Sequence, residues 1–365
     1  MVEQKAKYEE IVEWITEQIE SGELSEGEKV YSENALVSMF QVSRQTVRHA
    51  ISVLGKKGLV VSRRGSGTYV KDSSIGITGK KKSMRLAIMM TYVDEYIFPS
   101  MINKMESVLS KAEYTLQIAF THNSVERERN ILKGFLKNDI IDGLLAETTK
   151  SGIPNPNLDI YRELQKKGIP VVFLNSSYPG LEAIHVSMDD FWAGRTATKH
   201  LLQCGHQKIG AIFKMDDGQG HKRYAGYVSA LMDHDIKVKD EYITWIDTVD
   251  LRNMENETER YLRRLKDCTA CVCYNDEVAA KLISGCRREG IFIPDNLSVV
   301  GIDNSDLAGY CEVPITSVNN PVIDLAKSAA EIMLALLDGE KLSGDIELQS
   351  ELVIRNSTRI IGSYT

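Results

Sequence analysis

Ser43-Arg44-Gln45-Thr46-Val47-Arg48-His49-Ala50-Ile51 is the stretch on which the reading of this 365-residue chain turns. As a helix capped by Ser43, it directs Val47, Ala50, Ile51 and Leu54 toward a core and leaves Arg44, Gln45 and Arg48 together on the open face. A helix lying in the major groove of DNA needs such a face, because Arg can give two hydrogen bonds to guanine and Gln two to adenine. Three polar residues on a helix are in general only a solvated surface, so the flanking sequence has to decide.

Upstream, Tyr8, Ile11, Val12, Ile15 and Ile19 recur at helical spacing up to Gly22 and predict a packing helix. Ser32-Glu33 opens a second helix with Leu36, Met39 and Phe40 facing inward, and Gln41-Val42 makes a short turn into the third. Downstream, Leu59-Val60-Val61-Ser62 and Thr68-Tyr69-Val70 read as two strands joined by Arg63-Arg64-Gly65-Ser66-Gly67. The glycines let that hairpin approach a phosphate or the minor groove, and Arg63 and Arg64 supply charge. The whole chain carries a net charge of −7, yet residues 34 to 71 hold Arg44, Arg48, Lys56, Lys57, Arg63, Arg64 and Lys71 without one Asp or Glu. A basic half-domain on an acidic chain is the footprint of a DNA-contacting face.

Gly27-x-Lys29-Val30-x-Ser32-Glu33, Phe40-x-Val42-Ser43-Arg44-x-Thr46-Val47-Arg48-x-Ala50, Leu54-x3-Gly58-Leu59 and Gly65-x-Gly67-Thr68 together resemble the GntR family of bacterial regulators. The resemblance spans residues 5 to 71 and implies a winged helix-turn-helix whose Arg44, Thr46, Arg48 and wing around Gly65 touch DNA. Tyr31 stands where that family usually carries proline, and Asn34 where many members carry arginine; an amide recognises a different base edge from a guanidinium, so the second departure leaves the base preference open. The DNA-contacting set expected is Ser32, Glu33, Asn34, Ser43, Arg44, Gln45, Thr46, Arg48, His49, Arg63, Arg64, Gly65 and Gly67. Residues 1–71 form this domain, and 72–83, which end in Lys80-Lys81-Lys82-Ser83, form a tether.

From Met84 to residue 365, apolar runs of strand length alternate with helical patterns: Arg85 to Met90, Thr115 to Ala119, Gly143 to Ala146, Val171 to Leu174, Ile209 to Phe213, Ala270 to Cys273 and Ser298 to Ile302. Near-continuous apolar strands with helical crossovers predict an α/β domain of parallel sheets covered on both faces, in two lobes around a cleft. Ligands of such sheets bind beyond the carboxyl ends of the strands. The residues there are Tyr92 to Phe98, Thr121, His122, Glu147, Asn175, Lys214 to Arg223, Asn275, Asp276 and Asp303. Carboxylates, amides, an arginine and aromatic rings suit a polyhydroxylated ligand, whose hydroxyls both donate and accept. Each polar residue has an alternative as a helix cap, and Asp189-Asp190 reads as the cap of a helix from Trp192 to Leu202.

No phosphate loop of the P-loop type and no nucleophile elbow occurs, and Asp216, Asp217 and His221 alone do not make a catalytic set, so no enzyme is expected. Cys268, Cys271 and Cys273 lack a second ligand pair at zinc spacing and read as buried thiols, so neither metal nor cofactor is expected. No run of about 18 apolar residues is present, which predicts a cytoplasmic protein without a membrane partner.

A second resemblance is carried by Asp189-Asp190-x3-Gly194-x5-His200-Leu201-x3-Gly205-His206-x2-Ile209, by Arg223-x2-Gly226-Tyr227, by Tyr274-Asn275-Asp276-x2-Ala279, and by Ile293-Pro294-Asp295-x-Leu297 through Asp303. These are similar to the effector domain of the LacI/GalR repressors, which is built like a periplasmic sugar-binding protein. It implies that Asn175, Arg223, Asn275 and Asp303 hold the effector's hydroxyls, with Tyr96 and Phe98 at the mouth of the first strand. Asp190 stands where that family commonly has Asn. The effector set expected is Tyr92, Tyr96, Phe98, Glu147, Asn175, Lys214, Asp217, Gln219, Arg223, Asn275 and Asp303. A GntR-type reader joined to a LacI-type sensor is similar to the arabinose-responsive repressors of Gram-positive bacteria, through Tyr96-Ile97-Phe98-Pro99 and Asp217-x-Gln219-Gly220-x-Lys222-Arg223. That pairing implies a homodimer on operator DNA, released by a sugar, L-arabinose. The residue chemistry alone also admits another pentose, a purine-type corepressor, or a sugar-binding protein of a different class.

Overall fold

The computed structural model describes residues 6–63, 66–71, 82–92, 96–138 and 140–361. The chain divides into two compact units, Met1–Lys82 and Ser83–Thr365. Arg64 and Gly65 of the hairpin and 72–81 of the expected tether lie outside the described residues.

The first unit holds α1 (Lys7–Glu20), α2 (Glu33–Phe40), α3 (Arg44–Lys56), β1 (Val60–Arg63) and β2 (Gly67–Val70). Its core joins Ile11, Val12 and Ile15 of α1 to Leu36, Val47, Ala50 and Leu54, and closes on Val60 and Val70 of the antiparallel hairpin. Gln41 at φ 49° reverses the chain between α2 and α3. The sequence reading placed Met39 inward, but its side chain is 51% exposed. Leu36, Val37 and Phe40 form the buried edge of this short helix instead, with Phe40 edge-on to Trp14.

The second unit carries β3 (Arg85–Met90), β4 (Thr115–Phe120), β5 (Gly143–Glu147), β6 (Val171–Leu174), β7 (Ile184–Met188), β8 (Ile209–Lys214), β9 (Ile243–Ile246), β10 (Ala270–Cys273), β11 (Ser298–Asp303), β12 (Thr316–Asn319), β13 (Ile346–Leu348) and β14 (Leu352–Val353). They build two six-stranded sheets, in the orders β13-β7-β6-β5-β3-β4 and β14-β12-β11-β10-β8-β9. Within these two sheets, only the β12–β14 pair is antiparallel among the described strands. Central strands such as β5, β6, β8 and β11 are buried along their whole length, because helices cover both sheet faces.

Three segments pass from one sheet to the other. They are the Asp190–Gln203 helix between β7 and β8, the Val322–Leu337 helix between β12 and β13, and residues 349–351 between β13 and β14. The Asp190–Gln203 and Gly218–Met232 helices cross backbone to backbone: a β-carbon at Gly194 would overlap the Arg223 carbonyl, and one at Gly226 the Phe191 carbonyl. That close crossing sets Asp190 beside Arg223.

Candidate functional site

The α3 surface is open and lightly tied. Ser32 and Ser43 serve as caps, accepting from the Ala35 and Thr46 amides at 3.1 and 3.2 Å, and Thr46 Oγ1 lies 2.9 Å from Ser43 Oγ. Arg44 donates to Asn34 Oδ1 at 2.6 Å, and Arg48 Nε donates to both Glu33 carboxylate oxygens at 3.1 and 3.0 Å. Arg48 keeps 68% of its side-chain surface in water. Gln45 is exposed between them. His49 stacks edge-on against Tyr8 of α1 at 4.5 Å and so stands at the flank of this face. In the hairpin, Arg63 lies over the Tyr69 ring and pairs in register with Gly67.

The second candidate site is a cleft between the two sheets' carboxyl edges, of about 840 Å³ including its open mouth. Tyr92, Tyr96, Phe98, Glu147, Asn175, Lys214, Asp217, Gln219, Arg223, Asn275 and Asp303 all line it. They come together because each follows, or ends, a parallel strand.

Arg223 is at the centre and only 1% exposed. Its Nε donates to Asp190 at 2.8 Å, Nη1 to the Tyr274 carbonyl at 2.5 Å, and Nη2 to Asp303 at 3.2 Å. The guanidinium also stacks over the Tyr274 ring at 4.8 Å. Burial disfavours its charge, but Asp303 and Asp190 outweigh that and raise its pKa further. Of its five N–H groups, two take no partner among the described residues. They are free donors on a fixed side chain.

Lys214 donates to Asp217 at 2.6 Å and lies 3.4 Å from Asp216; against the penalty of burial, these carboxylates push its pKa up to about 12. Glu147 accepts from the Thr91 amide at 2.7 Å, the Thr91 hydroxyl at 2.5 Å and Asn175 at 3.1 Å. Burial raises its pKa, and those hydrogen bonds partly offset the rise. The Tyr96 hydroxyl crosses from the first lobe to donate to Asp303 at 2.7 Å and accepts from the Asp276 amide at 3.2 Å. The cleft therefore presents fixed donors and acceptors beside aromatic rings.

Three expectations are corrected. Asp190 does not share the capping role of Asp189, which accepts from the Trp192 amide at 2.9 Å; it is buried against Arg223, and burial lifts its pKa to about 6. Asp276 does not line the cleft, because its oxygens accept from Ser305 and Ser317. Thr121 and His122 also fall outside the lining: Thr121 bonds Thr149 at 3.1 Å, and the His122 ring stands beside Tyr92 and Phe120.

Residues 7–70 match the bacterial regulatory proteins of the gntR family, and residues 198–358 match the periplasmic binding protein-like domain. Over 366 residues, the chain is 38% identical to an arabinose metabolism transcriptional repressor of Halalkalibacterium halodurans, with 97% of each chain covered. A protein of the same name from Geobacillus stearothermophilus is 35% identical over 358 residues, covering 97% of this chain and 96% of its own. The chain belongs to the family of arabinose metabolism transcriptional repressors. Among solved structures, the transcription regulator CcpA of Lactococcus lactis superposes with a TM-score of 0.68 at 24% identity, covering 75% of this repressor and 99% of the other chain; it shares the fold.

Sequence reasoning missed several cleft residues of the repressor: Thr91, Asn123, Thr148, Ser151, Leu251, Tyr274 and Glu277. Thr91 and Tyr274 directly follow strands and were within reach of the strand-end rule. Asn123, Ser151 and Leu251 lie deeper in connecting segments, where no sequence period marks their direction. Among the described residues no helix is long and apolar enough to cross a membrane, and no three His, Cys, Asp or Glu side chains gather as a metal site requires. Cys271 and Cys273 are buried free thiols of β10.

Proposed function

We propose that this repressor binds operator DNA as a homodimer through the α3 face and is released when L-arabinose occupies the cleft. The observation that carries the effector assignment is the buried Arg223, which holds two uncommitted N–H donors in a cleft lined by carboxylates, amides and tyrosines. A neutral sugar matches such a set: hydroxyls accept from Arg223 and Lys214 and donate to Glu147 and Asp303, while the C–H face packs on Tyr96 and Phe98. The names of the two relatives support arabinose as that sugar.

On DNA, Arg44 and Arg48 exchange Asn34 and Glu33 for base edges and phosphates, with Gln45 between them. The exposed pairs are worth only about 0–1 kcal/mol, so the exchange is easy. Two heads related by a two-fold axis read the halves of a near-palindromic site. Sugar need only favour the DNA-incompetent arrangement by a few kcal/mol to change occupancy tens to hundreds of fold.

Fluorescence anisotropy on DNA from the protein's own upstream region, titrated with L-arabinose, D-xylose, D-galactose and a purine base, tests this. Release by L-arabinose at far lower concentration than by the others is the expected result. Tighter binding with the purine, or indifference to every sugar, overturns the effector assignment.

A further inference from the structure

We infer that Gly152 is the closing contact of the cleft, a bare backbone position on one lobe that seats the backbone of the other and lets the sugar-bound state form. This rests on reading the cleft as the effector site. Gly152 follows β5 in the first lobe, and its amide donates across the cleft to the Asp216 carbonyl at 3.1 Å. In return the Gly218 amide of the second lobe donates to Ser151 Oγ at 3.0 Å. A β-carbon on Gly152 would overlap the Met215 carbonyl oxygen and lie 2.9 Å from both the Asp216 carbonyl carbon and the Asp217 nitrogen.

All three of those atoms belong to the opposite lobe. Nothing in the residue's own lobe calls for glycine, since its φ lies outside the left-handed region. The demand comes from closure alone. Backbone is also a poor shock absorber: a flexible side chain can turn away from an added methyl, but a peptide unit at the end of β8 can yield only by moving the lobe. The adjoining Asp217 holds Lys214 at 2.6 Å and accepts from the Tyr274 hydroxyl at 3.0 Å, so the seated segment is part of the cleft lining. An alanine at 152 thus taxes the closed state and spares the open one. Because a ligand moves an equilibrium only by its preference for one state, that selective penalty appears as weaker sugar binding and unchanged repression.

The test compares the full-length wild type, Gly152→Ala and Gly218→Ala on operator DNA. Gly152→Ala should bind DNA as the wild type does without sugar, and should need at least about tenfold more L-arabinose for release. Gly218→Ala should show a smaller rise, because its β-carbon would meet Ser176 Oγ at 2.8 Å, a side chain that can rotate. It also carries the test if Gly152→Ala fails to fold, as thermal unfolding would reveal. Amide hydrogen exchange at Gly152 and Gly218 is read alongside, with and without L-arabinose. Slower exchange in the wild type than in Gly152→Ala supports the contact. Equal sugar midpoints or equal amide protection in well-folded variants overturns it. If the wild type itself ignores L-arabinose, the effector assignment fails and the closing role of Gly152 falls with it, whereas a wild type that responds beside a variant with an equal sugar midpoint overturns the role of Gly152 alone.

Discussion

Arginine is used in two opposite ways in this molecule. Arg44 and Arg48 stand on α3 in water, each tied to one partner on α2. Arg223 is sealed beneath the cleft and bonded to an aspartate, a carbonyl and a second aspartate. An exposed pair is weak and exchangeable, so the α3 arginines can abandon their partners for DNA. A buried pair broken on one side leaves an uncompensated charge, so Arg223 keeps its partners and offers only the donors left over. The first arrangement suits a partner that brings its own charge, the second a neutral molecule that must be shape-matched.

The largest effect expected is from Arg223→Ala, which leaves Asp190 and Asp303 facing each other in a buried site. Stability should fall by about 3–5 kcal/mol, and sugar should no longer release DNA, while DNA binding persists below the melting temperature. Thermal unfolding and anisotropy check both; release at ordinary sugar concentrations would mean that the effector sits elsewhere. Arg44→Ala or Arg48→Ala should each remove about 1–3 kcal/mol of operator binding without altering sugar affinity by calorimetry. Loss of sugar binding in either variant would erase the division of labour between the two settings.

A pH series sharpens the buried side of the comparison. Burial raises the Asp190 pKa from the ordinary 3.8 to about 6, so it is ionised above that pH and neutral below it. As pH falls from 8 toward 5.5 the wild type should need more sugar for release, because Arg223 loses an ionic partner; Asp190→Asn should show a flat profile. Stability runs the other way. A carboxyl whose folded pKa is raised contributes stability that is full below its unfolded pKa and is lost as pH rises through about 6. The wild-type melting temperature should therefore gain on the Asn variant during acidification, and parallel curves would sever Asp190 from this behaviour. The smallest effect belongs to Asn34→Ala, within about 0.5 kcal/mol of wild-type stability. A loss well above that would show Arg44 to be locked as Arg223 is.

The sequence disclosed the cleft better than its wiring. Tyr92, Glu147, Asn175, Asn275 and Asp303 were legible because parallel strands aim their carboxyl ends at one place, and an apolar run announces where a strand stops. Asp190 was misread because a doubled aspartate before a helix is a strong local capping pattern, whereas its true partner is set by a helix crossing that Gly194 and Gly226 permit. β7, β9, β12, β13 and β14 escaped notice: β13 and β14 span only 3 and 2 residues, and Thr316–Asn319 is largely polar. Met39 shows the same limit in the head, where the 8 residues of α2, about two turns, are too few to fix which side is inward.

The three segments that pass between the sheets have a mechanical consequence. A single strap would let the lobes swivel in any direction, whereas three straps side by side act as the knuckles of a door hinge and leave one easy axis. Whatever free energy a bound molecule supplies is then channelled into one angle instead of being dissipated in twist and slide. Severing one strap, by opening the chain at residues 349–351 and rejoining its ends elsewhere, should leave a protein that still grips its ligand but no longer turns that grip into a directed motion.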